Sequence, residues 1–307
     1  MSKVIKICED LSLKRCKSKN HSFYPVLVIV YYSIIKEYGY ESLIEIDKLT
    51  NIIFNDPDDN FYTPYARCEL VLPNNNLYSI ELLNMSKIDL FLNDFYDNNF
   101  LLTTTMHEFN HIRKSILNRY IYKKNKDTYF DLIYCRSGIS YNTIVNGILI
   151  SENNGIDEVF NVLETNDLLK KIKYFNRNKF DDQVRDFLDK INLDFLYDSS
   201  YFEIVNLFKD IWNDKSFKRI ISANLYSGDI DTIIEYFNSK FPRYDFYEFS
   251  RDVDKLYYAS IDRYARYDNL EKKSIELKKR FKKRGIYDKI GSESGGNMLR
   301  TKDIIDE

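Results

Sequence analysis

The sequence predicts an α+β fold: a small mixed sheet carrying one site-bearing helix, followed by a mainly helical C-terminal lobe. Three observations predict it. Cys68-Glu69-Leu70-Val71-Leu72 and Leu77-Tyr78-Ser79-Ile80-Glu81-Leu82 flank Pro73-Asn74-Asn75-Asn76, the pattern of a β-hairpin. Phe100, Leu101, Leu102, Met106, Phe109, Ile112, Ile116 and Leu117 recur at helical spacing, with Asn98 and Asn99 available as caps. Residues 166–269 read as a succession of helices: Asp181–Ile191, Ser200–Trp212, Ser216–Tyr226, Asp229–Phe241 and Tyr244–Arg266.

Composition narrows the class. The chain has 307 residues, 44% hydrophobic and 30% charged, which is globular rather than disordered. Its net charge of −2 exerts no global pull on nucleic acid. The 26 Tyr and 21 Phe, beside abundant Asn, Ile and Lys, fit the coding bias of an AT-rich genome. Cys8, Cys16, Cys68 and Cys135 form no CxxC pair, so a cysteine metal site is not expected and reduced thiols are the simpler reading. Met1–Asp10 lacks a signal-peptide core, and Tyr24–Tyr32 is too short to span a bilayer. A cytoplasmic protein with no membrane partner is expected.

Taken in order, residues 1–20 alternate weakly and suggest an edge strand or loose arm. Pro25 suits a first helical turn, so Val26–Tyr38 reads as a buried helix ended by Gly39, with His21 just before it as a loop or cap residue. Glu41–Phe54 reads as a second helix, and Asn55–Asn60 as a turn. Beyond the hairpin, Ile88–Tyr96 is short and apolar. Thr128–Ile139 and Tyr141–Ile150 read as strands joined near Gly138 and Ser140, and a turn at Ser151–Gly155 leads into a helix from Ile156 to Thr165. Trp212 is expected in the core. Leu270–Arg284 carries Lys272, Lys273, Lys278, Lys279, Arg280, Lys282, Lys283 and Arg284, and reads as a solvated helix end rather than a nucleic-acid surface. The predicted divisions are 1–165, a metal-binding domain; 166–284, the helical lobe; and 285–307, a flexible tail.

The chemistry concentrates at His107-Glu108-Phe109-Asn110-His111. Positions i and i+4 of a helix share a face, so two imidazoles aim at one point. Glu108, on the same turn, is placed to act as a general base on a metal-bound water. The chain has only three His, so the third ligand must be a carboxylate. Glu158, on the following helix, is the best candidate, with Asn161 and Thr165 on its face as supporting partners. Asp157, Glu152 and Glu164 compete; Asp157 faces about 100° away on a helix. Arg113 is a departure, because helices of this kind usually continue apolar there.

These segments resemble the gluzincin pattern of zinc metallopeptidases, in which a Glu on a second helix completes the site. The wide gap between His111 and Glu158 is similar to the anthrax lethal factor branch. A closer likeness is to poorly characterised zincin-like proteins of Firmicutes, carried by Arg136-Ser137-Gly138-Ile139 before the Glu158 helix and by Asn224-Leu225-Tyr226-Ser227-Gly228-Asp229 after it. The resemblance implies a zincin-like sheet, Zn2+ on His107, His111 and Glu158, and Glu108 as base. It implies a zinc endopeptidase acting on a peptide or protein. Two other readings stand beside it: a regulatory protease of a mobile element that cuts one repressor or antitoxin, and a non-catalytic zinc-stabilised binding module. Tyr134, Tyr141 and Tyr226 are candidates for the oxyanion donor such a peptidase needs. The exposed edge of the Leu77–Leu82 strand is a candidate peptide-docking edge.

Overall fold

A computed structural model describes residues 3–55, 66–71, 77–83, 98–116, 121–125, 130–145, 148–192, 202–261 and 267–286. Its helices are α1 (Lys3–Cys16), α2 (Phe23–Tyr38), α3 (Tyr40–Leu49), α4 (Asn98–Ile116), α5 (Asn154–Ile172), α6 (Asp182–Lys190), α7 (Phe202–Trp212), α8 (Lys215–Ser227), α9 (Ile230–Lys240), α10 (Phe246–Ile261) and α11 (Tyr267–Lys283). The expected α+β class is overturned. Among the described residues the fold is mainly helical, and no sheet serves as their framework. Both buried cores of the described residues are built from helices and the loops joining them.

The backbone ladders are short. β1 (Thr50–Asn55), β2 (Ala66–Val71) and β3 (Leu77–Leu83) take the order β1-β3-β2, with β1 parallel and β2 antiparallel to β3. β4 (Ile121–Asn125), β5 (Phe130–Ser137), β6 (Ser140–Val145) and β7 (Ile148–Glu152) form an antiparallel meander. β3 therefore lies between two partners. The docking edge expected on Leu77–Leu82 is already paired on both sides, which corrects that expectation.

The first core joins α1, α2, α3, α4, α6 and the C-terminal end of α5. Its centre is α2, where Phe23, Val26, Leu27, Val28, Ile29 and Val30 are fully buried. The expected N-terminal strand or arm is instead α1. Ile5, Cys8, Ser12 and Cys16 are buried at three- and four-residue spacing, and that stripe outweighs the weak alternation of Val4, Ile5 and Ile7. The helix expected over Glu41–Phe54 stops at Leu49, and the β-branched and aromatic run Thr50, Ile52, Ile53, Phe54 continues as β1.

The second core joins the first half of α5 to α7, α8, α9, α10 and α11. Trp212 lies in it, and its indole N–H donates to Asp167 at 2.8 Å. α5 serves both cores: Ile156 to Leu163 pack in the second, Leu168 and Ile172 in the first. The division expected after residue 165 thus falls inside a continuous helix. The tail expected from 285 also starts too early, since Ile286 is fully buried in the second core. On α11, Leu277 and Phe281 face that core while Lys272, Lys273, Lys278, Lys279, Lys282 and Lys283 are exposed. Ile88–Tyr96 and residues 287–307 lie outside the described residues.

Asp181 fastens α6 to the first core. Its Oδ1 accepts from the Val184 N–H as a helix cap, and its Oδ2 accepts from the Tyr24 hydroxyl and the Lys19 ammonium, both at 2.7 Å. Burial opposes ionisation, but the Lys19 and Tyr24 bonds and the Val184 N–H together hold its carboxyl below the usual aspartate value. Its ionised form is therefore favoured by folding. That stabilisation is complete above the unfolded aspartate range and is lost as pH falls through the lowered folded value. Asp181→Asn keeps a cap and removes the charge. It should lower stability by about 1 kcal/mol at pH 7, with the gap to wild type closing towards pH 3. A gap that persists unchanged in acid melts would count against the ion pair.

Candidate metal centre

α4 is buried on nearly every side, yet it carries a polar stripe. His107, Asn110, Arg113 and Lys114 are all at most 5% exposed. Such a stripe is tolerable only against a complementary one. α5 supplies it with Asp157, Glu158, Asn161 and Glu164. Glu164 lies 3.3 Å from Arg113 Nη2, and Asp157 Oδ2 lies 3.6 Å from Lys114 Nζ. Glu158 faces both imidazoles. Each carboxylate on this face of α5 thus meets a basic group on α4, which fixes how the two helices register.

The centre of this interface brings three of the expected residues together. His107 Nε2 and His111 Nε2 are 3.1 Å apart. Glu158 Oε2 lies 3.2 Å from the first and its Oε1 lies 3.3 Å from the second. Ligands bonded at about 2.0–2.1 Å around a tetrahedral ion are separated by roughly 3.3 Å. The separation of the two imidazole nitrogens is close to that edge length, and each has its own oxygen of Glu158 beside it. Glu158 Oε2 is a buried acceptor that faces His107 Nε2 in poor hydrogen-bond alignment. His107, His111 and Glu158 form a group able to hold a metal ion among the described residues. Glu108 is half-buried on the same turn as His107. Glu152 is exposed at the end of β7, and Glu164 is engaged with Arg113, so neither joins the cluster.

Charge reinforces the arrangement. Burial pulls the His111 imidazole down, but the Glu158 charge and hydrogen bonding to Asp157 and Glu158 raise it to about 10. Burial likewise opposes ionisation of Glu158, yet the charge on His111 and the bonds from His107 and His111 hold its carboxyl well below the usual range.

Sequence reasoning assigned Asp157 only as a competitor facing elsewhere. The structure places it at the other nitrogen of His111, with Oδ2 3.7 Å from Nδ1, while its Oδ1 accepts from the Ile139 N–H at 3.2 Å. The local reason is Gly138, which takes φ +56 at the β5–β6 turn. A Cβ built there would sit 2.0 Å from Asp157 Oδ1, so the backbone reaches the carboxylate only because there is no side chain. The glycine in a turn signal was visible in sequence; the carboxylate it receives was not. Asn161 does support the site, but Thr165 does not reach it: its hydroxyl is buried with no hydrogen-bond partner among the described residues. Of the oxyanion candidates, Tyr226 stacks over Arg113 with its ring 5.2 Å from Cζ; the side chains of Tyr134 and Tyr141 lie outside the described residues. His21 accepts from the Phe23 N–H at 3.3 Å at the start of α2.

No protein-family model, curated protein or solved structure matches the chain. Among the described residues, no helix is long and apolar enough to cross a membrane.

Gly138→Ala tests the clamp on Asp157. It should cost roughly 1–3 kcal/mol from the left-handed backbone and the overlap with the carboxylate, read as a shift of the urea midpoint. A variant as stable as wild type would mean that Asp157 sits elsewhere in solution.

Proposed function

We infer that the chain is a zinc-dependent metallopeptidase of the gluzincin kind. One observation supports this reading above the others: two imidazole nitrogens and a remote carboxylate converge at 3.1–3.3 Å from one another on two crossing helices. When bound, zinc supplies a Lewis acid and lowers the pKa of a coordinated water to about 7. His107, His111 and Glu158 would hold it. Three protein ligands of this kind would leave room for solvent or substrate on the ion.

The remaining work belongs to the chain's own groups. Glu108 stands one residue beyond His107 and is half-exposed, so its carboxylate can take a proton from the attacking water and deliver it to the leaving amine. Asp157, anchored by the Ile139 N–H, holds the far side of the His111 ring. The substrate class is a peptide or protein.

The purified full chain should carry about one equivalent of zinc by elemental analysis. Glu158→Gln and His111→Ala should lose it. Glu108→Gln should keep the metal and slow peptide cleavage by about 100-fold or more. A Glu108→Gln protein that cleaves at the wild-type rate would exclude Glu108 as the base. A wild-type chain that binds no zinc would overturn the whole reading.

A further inference from the structure

The basic run of α11 takes no part in the metal centre, and its sequence reads as a solvated helix end. The fold gives it a partner. α10 and α11 lie antiparallel, and their ion pairs follow one register: Arg284 Nη2 meets Glu248 at 2.6 Å, and Arg280 Nη1 meets Asp252 at 2.6 Å. A groove of three connected hollows runs along the two helices. Pro242, Arg243, Glu248, Lys283 and Arg284 line one end. Asp252, Leu256, Glu276, Leu277 and Arg280 line the middle. Arg251, Asp254, Lys255, Tyr258, Ala259 and Lys273 line the other end. Arg280 borders the first two hollows, and Lys255 and Lys273 border the last two, so the groove is continuous. Helical spacing explains the alignment. Lys273, Leu277, Arg280 and Arg284 share one face of α11, and Arg251, Lys255 and Tyr258 share one face of α10.

Two features set the chemistry of an occupant. Basic groups outnumber acidic ones along the lining, although the whole chain has a net charge of −2, so positive charge is gathered here. Most of the acidic groups are also engaged within the fold. Asp252 accepts from the Tyr244 hydroxyl at 2.6 Å and from Arg280, Glu248 accepts from Arg284, and Asp254 accepts from the Gly155 N–H at 2.7 Å. No carboxylate among the described residues pairs with Arg243, Arg251, Lys273 or Lys283, all of them exposed. The second feature is that Pro242, Tyr258 and Ala259 place apolar surface between the cations, beside Leu256 and Leu277.

A nucleic-acid strand fits this lining poorly. Its charge repeats without a break, and it would meet Glu276 and the apolar steps. Bases need a row of rings to stack on, and Tyr258, its hydroxyl held by Asn154 at 3.0 Å, is the one aromatic side chain among the described residues that line the groove. A peptide that alternates carboxylates with apolar side chains matches both features. Lys273 to Arg284 span roughly 16 Å at about 1.5 Å per residue, the length of about five extended residues.

We propose that the groove between α10 and α11 is a docking site for an acidic segment of a partner protein, in which Asp or Glu side chains alternate with apolar ones. Arg251, Lys255 and Lys273 take carboxylates at one end, and Arg243 and Lys283 take them at the other. The apolar side chains of the segment lie on Pro242, Tyr258 and Ala259. The site is separate from His107, His111 and Glu158, and stands whether or not an ion binds there.

Fluorescence anisotropy on the purified full chain tests this, with a short labelled peptide of alternating Glu and Leu as the probe. It should bind, and its counterpart with Gln in place of Glu should bind about tenfold weaker or worse. Lys255→Glu combined with Lys273→Glu should weaken the Glu peptide by about tenfold. Lys278→Glu combined with Lys282→Glu makes the same change of net charge on the opposite face of α11, and should bind as wild type does. All these side chains are exposed, so thermal midpoints should match wild type. The comparison of the two peptides uses the wild-type chain alone and decides even where a variant fails to fold. No binding of the Glu peptide, equal binding of the Gln peptide, or equal weakening in both double variants would overturn the proposal. Tighter binding of a single-stranded oligonucleotide of the same charge would overturn it as well.

Discussion

Among the described residues, the possible metal site depends on one interface, the polar faces that α4 and α5 turn towards each other inside an apolar body. α4 buries Leu101, Leu102, Met106, Phe109 and Ile112 in the first core, and α5 places Ile156, Val159, Phe160 and Val162 in the second. Between those cores the two helices cannot present apolar surface alone, since each also carries ionisable groups. They meet instead as paired opposites: Arg113 with Glu164, Lys114 with Asp157, and His111 with Glu158. Buried pairs of this sort add little net stability, but leaving one member alone costs about 3–5 kcal/mol. Their effect is to exclude other registers, because a slip of either helix would strand a charge. The convergence of His107, His111 and Glu158 is thus a by-product of a register enforced by charge.

Fixing that register requires both helices to be held at their ends as well. α5 begins where Asn153, in the left-handed region at φ 61, turns the chain, and the Gly155 N–H donates to Asp254 on α10 at 2.7 Å. A Cβ at Gly155 would stand 2.8 Å from that of Tyr257, so α10 packs directly on the start of the helix. At the other end of the interface, Tyr38 of α2 and Tyr226 of α8 close over Arg113. The helical lobe therefore belongs to the site's architecture. It fixes the rotation of α5, and with it the direction in which Glu158 points.

The sequence made some of this legible and hid the rest for definable reasons. The convergence of His107, His111 and Glu158 was readable because helical periodicity converts spacing directly into shared faces, and the scarcity of histidine turned the search for a third partner to carboxylates. The C-terminal helices were readable because Asp181, Asp214 and Asp229 cap them as such residues do. α1 was misjudged because its buried stripe includes Cys8, Ser12 and Cys16, small side chains that do not register as a hydrophobic pattern. The fold class was misjudged because β-branched runs weigh heavily in a local reading, whereas class is decided by which elements build the cores, and here those are helices. Asp157 escaped because its role depends on the Gly138 turn reaching it across the fold, and Arg113 because its partners beyond its own helix lie on three other segments of the chain.

The pairing also constrains what the centre can do. His111 faces Glu158, Arg113 faces Glu164 and Lys114 faces Asp157, so acidic and basic groups stand in equal number across the interface. A divalent ion held there would add positive charge to the same buried space. The next carboxylate along α4 is Glu108, half-exposed and outside the three pairs. Its negative charge would offset that gain, and the same charge is what a general base requires. On the proposed metallopeptidase reading, the residue placed to accept a proton is thus also the one whose ionisation a bound ion would favour. On that reading, charge balance across two helices, and not the motif alone, argues for Glu108 as the base.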